Sequence, residues 1–127
     1  GCFPVNQERP SLASLRYSVD LLISGQQLVV FPEGRINRNR KIISIAPGLV
    51  RLSQLAFRQG IEVQVIPIGI AYSTVFPKPL GSAAICFEKP IKISEIGKKA
   101  AEEFNEMLIE RMHAAEQAAL QSVGRIH

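Results

Sequence analysis

The stretch Leu28-Val29-Val30-Phe31-Pro32-Glu33-Gly34-Arg35 sets the architecture that the rest of the chain has to serve. Four consecutive apolar residues with two β-branched valines suit a strand covered on both faces, as in a parallel sheet between helices. Pro32 cannot donate to a ladder and so ends it. Gly34 permits a conformation or close approach that a side chain would forbid. Four cations then fall within seven residues, Arg35, Arg38, Arg40 and Lys41, with no acidic residue among them.

Helical patterns flank this strand. Upstream, Pro10 and Ser11 open a helix with apolar residues Leu12, Leu15, Val19, Leu22 and Ile23, spaced mostly at three and four, and Gly25 closes it. Downstream, Pro47 suits the first turn of a second helix, where its missing amide proton has no partner anyway. That helix turns Leu49, Leu52, Leu55 and Ala56 inward and ends at Gly60. Val63 to Tyr72 reads as a second apolar strand, Pro77 to Gly81 as loop, and Ala83 to Phe87 as a further strand stopped by Pro90. Ser94 is positioned to cap a long final helix to about Ser122, with Phe104, Leu108, Met112 and Ala115 on one face. Cys2 to Val5 adds a strand at the start.

This alternation predicts an α/β fold, a largely parallel sheet flanked by helices, with right-handed crossovers. The last strand can pair in either direction. The 127 residues suffice for one modest domain spanning 1–127, with no linker, repeat or low-complexity segment dividing it. Because Gly1 stands in place of methionine and a strand pattern follows at once, the sequence is expected to be a piece of a longer polypeptide, incomplete at its N-terminus.

Composition excludes several classes. Apolar residues make up 46% and charged residues 20%, as in a globular chain and unlike a disordered one. No run reaches the roughly 20 apolar residues that cross a bilayer. The best, Val63 to Ala71, contains Gln64 and Pro67. Cys2 and Cys86 have no metal spacing and read as small apolar fillers; His113 and His127 have no ligand partners nearby. No metal or cofactor is expected. A net charge of +4 favours an anionic partner. Spacing alone leaves the basic loop open to three readings: a solvated turn, a phosphate site at the carboxyl end of a strand, or a nucleic-acid patch. In the second, Arg35 offers a planar fork to phosphate oxygens while Glu33 orients it or binds a hydroxyl. Aromatic residues do not interleave with the cations, so no nucleic-acid partner is expected.

Leu28 to Gly34 resembles the third sequence block of the glycerolipid acyltransferases, the lysophosphatidate and glycerol-3-phosphate acyltransferase family, whose usual form is Phe-Pro-Glu-Gly-Thr-Arg-Ser. Val65-Ile66-Pro67-Ile68-Gly69 is similar to the fourth block, and Gly1-Cys2-Phe3-Pro4-Val5 to the second. Three blocks in order and register are far more specific than a lone Pro-Glu-Gly. The resemblance implies a fold like that of glycerol-3-phosphate acyltransferase. It further implies transfer of a fatty acyl group from acyl-CoA or acyl carrier protein to a lysophosphatidate-like acceptor in phospholipid biosynthesis.

By the same resemblance, Glu33, Gly34 and Arg35 hold the acceptor phosphate, with Arg9 assisting, and Pro67 either shapes the strand end at the acyl-binding side or only terminates pairing. Two departures stand out. Arg35-Ile36-Asn37 replaces Thr-Arg-Ser, which places the basic group one position early. The arginine of the second block falls on Gln7, leaving open whether Arg9 substitutes. The family's first block, His-x-x-x-x-Asp, is absent: five residues after His113 stands Ala118. No catalytic residue is therefore expected within this sequence, and the base is expected upstream in the longer protein. The lysophospholipid acceptor and the basic loop imply peripheral contact with a membrane on its cytoplasmic side. A non-catalytic phosphate- or lipid-binding module of the same fold is the alternative.

Overall fold

The structure is a computed structural model that describes residues 12–31, 48–74 and 79–124. In chain order its elements are α1 (Leu12–Ile23), α2 (Gly48–Arg58), β1 (Gln64–Val65), β2 (Ile68–Tyr72), β3 (Ala83–Phe87), β4 (Ile91–Lys92) and α3 (Lys98–Ser122). They fall into two compact units, Gly1–Val63 with Lys92–Asn105, and Gln64–Ile91 with Glu106–His127.

In the first unit, α1 packs against α2. Val19, Leu52 and Ala56 form its buried centre, bordered by Leu15, Leu22, Leu28, Leu55, Ile61 and Val63. The apolar stripe read from the sequence is real but narrower than its spacing suggests, because Leu12 and Ile23 at its two ends stay exposed. Ser18 and Ser53 are buried among these apolar groups. Each hydroxyl donates to a carbonyl one turn back, Ser14 and Leu49 respectively, at 2.9 Å, which removes the cost of burying it.

Both helices stop where glycine was expected to stop them, and by the same device. Gly25 and Gly60 adopt left-handed φ of 85° and 81°. The Gly25 amide then donates to the Leu22 carbonyl and the Gln26 amide to the Leu21 carbonyl; Gly60 and Ile61 repeat the pattern onto Phe57 and Ala56. These paired bonds satisfy carbonyls that the helix itself cannot reach. Ile61, just past the second stop, folds back onto the core.

The second unit is built on an antiparallel ladder between β2 and β3, in which Ile68 faces Phe87, Gly69 faces Cys86, Ile70 faces Ile85, Ala71 faces Ala84 and Tyr72 faces Ala83. Alternation puts Gly69, Ala71, Ala84 and Cys86 on one face. There Ala71 joins Ala119 and Leu120 of α3, with Ala84, Cys86 and Val123 packed around them. The hairpin is tied where its strands end: the Ser73 amide donates to the Ser82 carbonyl at 2.8 Å and the Ser82 amide to Ser73 Oγ at 3.0 Å. Arg111 of α3 donates to the carbonyls of Lys89 and Pro90, both at 3.0 Å, and holds the chain leaving β3.

The chain thus mixes helices with short strands, but three expectations change. First, the described residues do not build the largely parallel sheet. β2 and β3 are joined by residues 73–82, a connection of hairpin length, whereas parallel neighbours need a crossover of a dozen residues or more. Second, Leu28 to Phe31 forms no ladder among the described residues. Leu28 packs into the first unit's core, while Val29 and Phe31 are 84% and 77% exposed. An apolar run becomes a doubly covered strand only with neighbours on both sides, and composition cannot supply them. Third, Val63 to Tyr72 is two strands. Pro67 interrupts it, and β1 pairs with β4, a short strand after Pro90 that the sequence pattern did not suggest.

The final helix buries the residues expected of it, with Phe104, Leu108, Met112 and Ala115 each at most 9% exposed. It begins at Lys98 and not after Ser94. Gly97, at φ 124°, makes the entry, its carbonyl accepting from the Ala101 amide and from Gln54 Nε2. Ile91 and Ile93 are each buried, and Ser94 lies in exposed coil.

Candidate functional site

Of the residues singled out from the sequence, Arg9, Glu33, Gly34 and Arg35 lie outside the described residues, as do Cys2, His127 and the other cations of the basic loop. Pro67 lies within them. It is buried, and it occupies the break between β1 and β2. Lacking an amide proton, it cannot extend the first ladder as a donor. Its carbonyl still accepts from the Glu88 amide at 3.0 Å, which carries the β2–β3 pairing one residue past Ile68. Pro67 therefore ends one pairing and anchors the start of another, and this fixes how the fourth block runs into β2.

Two residues further on, Gly69 has a role that a reading of the block as a motif did not specify. A Cβ built there would overlap the Ala115 carbonyl group and the Glu116 amide nitrogen of α3. The helix backbone thus lies directly on the strand at the one position without a side chain. The available signal was a glycine inside a strand pattern, which often marks close approach of another backbone. Small side chains at Ala71, Ala84 and Cys86 continue the seat for α3. Cys86 is partly buried there as a free thiol, in keeping with a filler.

The opposite face of the hairpin carries Ile68, Ile70, Ile85 and Phe87, exposed by 41% to 66%. Cross-strand pairing sets Ile68 beside Phe87 and Ile70 beside Ile85, so these side chains form a continuous apolar surface. Charge is scarce in the strands themselves, since neither β2 nor β3 contains an ionisable side chain other than Tyr72 and Cys86. The ion pair between Lys92 Nζ and Glu62 Oε2 belongs to the first unit; at 3.9 Å and in the open, it contributes little.

Among the described residues, no group of three or more His, Cys, Asp or Glu is placed to hold a metal ion. No described helix is long and apolar enough to cross a membrane. His113 is exposed on α3, and its fifth successor is Ala118, so it does not begin a His-x-x-x-x-Asp pattern.

The model of the acyltransferase family covers residues 1–71. No curated protein and no solved structure matches the chain. The matched span takes in all three recognisable blocks, from Gly1 through Phe31-Pro32-Glu33-Gly34 to Val65–Gly69, and runs to Ala71 near the end of β2. It covers more than half of the 127 residues, and on that basis the chain belongs to the acyltransferase family.

Proposed function

We propose that this chain forms the acceptor-binding half of an enzyme that moves a fatty acyl group from acyl-CoA or acyl carrier protein to a lysophosphatidate-like acceptor. The observation that carries the reading is the family match over residues 1–71, which spans the three blocks in order. Arg35 pairs with the acceptor phosphate through its guanidinium fork, Glu33 orients that arginine or takes a glycerol hydroxyl, and Gly34 lets the backbone approach. Arg9 assists from the end of the second block. Pro67 acts more remotely, by fixing the course of the fourth block.

The chemistry asks for a general base on the acceptor hydroxyl. The hydroxyl oxygen attacks the thioester carbonyl, the proton passes to the base, and the thiolate leaves as an ester forms. That base is a histidine held by an aspartate in a His-x-x-x-x-Asp block, which in this proposal lies upstream in a longer polypeptide. The insoluble acceptor and the basic loop favour peripheral contact with a membrane surface on its cytoplasmic side. Cations brought to an anionic surface contribute about 1 kcal/mol each.

Thiol release from an acyl thioester, with and without lysophosphatidate, tests the proposal on this chain and on an upstream-extended form. Acceptor-dependent release by the extended form alone is expected. Within it, Arg35→Ala is expected to weaken use of the acceptor by about 1.5–3 kcal/mol, the worth of one charged hydrogen-bonding pair. An unchanged dependence of rate on acceptor concentration would remove Arg35 from the site. Silence from a folded extended form would favour a non-catalytic phosphate- or lipid-binding module. Co-sedimentation with liposomes that is indifferent to anionic lipid content would defeat the membrane assignment.

A further inference from the structure

We draw no further inference here: the strongest candidate, the exposed apolar face of the β2–β3 hairpin formed by Ile68, Ile70, Ile85 and Phe87, has no partner identified by any feature of the structure, and nothing shows what covers it.

Discussion

Replacing Gly69 with alanine puts the close approach of α3 to β2 under direct test. The added methyl would overlap the Ala115 carbonyl group and the Glu116 amide nitrogen, which are helix backbone and cannot swing aside as a side chain end would. To restore ordinary contact, the helix must retreat by on the order of an ångström, and a gap of that size forfeits roughly a quarter to a half of each dispersion contact it opens. The contacts at stake are those of Ala71 and Ala84 with Ala119, Leu120 and Val123. Overpacking of this kind costs about 1–3 kcal/mol. An opposing term comes from the unfolded chain, which alanine restricts, worth about 0.4–1 kcal/mol. Gly69 is not among the glycines with positive φ, so alanine meets no backbone strain of its own there. The net expectation is a loss of about 1–2 kcal/mol, or roughly 4–8 °C in Tm for a chain of this size.

A urea titration followed by circular dichroism measures this loss as a lower midpoint at an unchanged slope. Two companion variants separate the causes. Gly25→Ala meets nothing within 4 Å but sits at φ 85°, so its cost is backbone strain alone, about 1–2 kcal/mol. Ala115→Gly, combined with Gly69→Ala, is expected to give no rescue, because the obstruction is the helix main chain and not the Ala115 methyl. A Gly69→Ala midpoint equal to that of the parent, or full rescue by Ala115→Gly, would refute the close approach.

Three further outcomes follow from burial and bonding. Leu108 is 1% exposed, so Leu108→Ala is expected to cost about 2–5 kcal/mol, read from the same titration; a loss under about 1 kcal/mol would contradict its burial. Ile85 lies on the open face of the hairpin and is 58% exposed, so Ile85→Thr is expected to change stability by no more than about 0.5 kcal/mol. A large destabilisation on that substitution would mean that the face is covered in solution. Arg111→Met removes two hydrogen bonds to the carbonyls of Lys89 and Pro90, which stay open to solvent, so the expected cost is about 1 kcal/mol or less. Hydrogen exchange of amides near Lys89 should rise in that variant, and unaltered exchange there would show that the bonds do not restrain the segment.

Much of this protein was legible in its sequence because the relevant forces are local. The spacing of Leu15, Val19 and Leu22, and of Leu52 and Ala56, selects helices through a period that neighbouring turns enforce. Gly25 and Gly60 end them because left-handed φ is inexpensive only for glycine. Ala83 to Phe87 needed only its composition and its flanking breaks to be read as a strand. Family membership was legible too, since the order and spacing of three blocks are properties of the sequence itself. Of the candidate site, the sequence named the residues, and the structure places only Pro67 among them.

Tertiary structure decided which backbones meet. Local preference cannot tell a parallel from an antiparallel neighbour, because the ladder energy belongs to two segments and the connection between them. For the same reason, Pro67 could be read as part of one strand until β1 and β2 were seen to pair with different partners, β4 and β3. Gly69 looked like one more motif residue, yet its consequence is contact with Ala115 and Glu116, far along the chain. Leu28 to Phe31 has the composition of a buried strand but forms no ladder with any other described residue, because burial on two faces is conferred by neighbours and not by the residues that seek it.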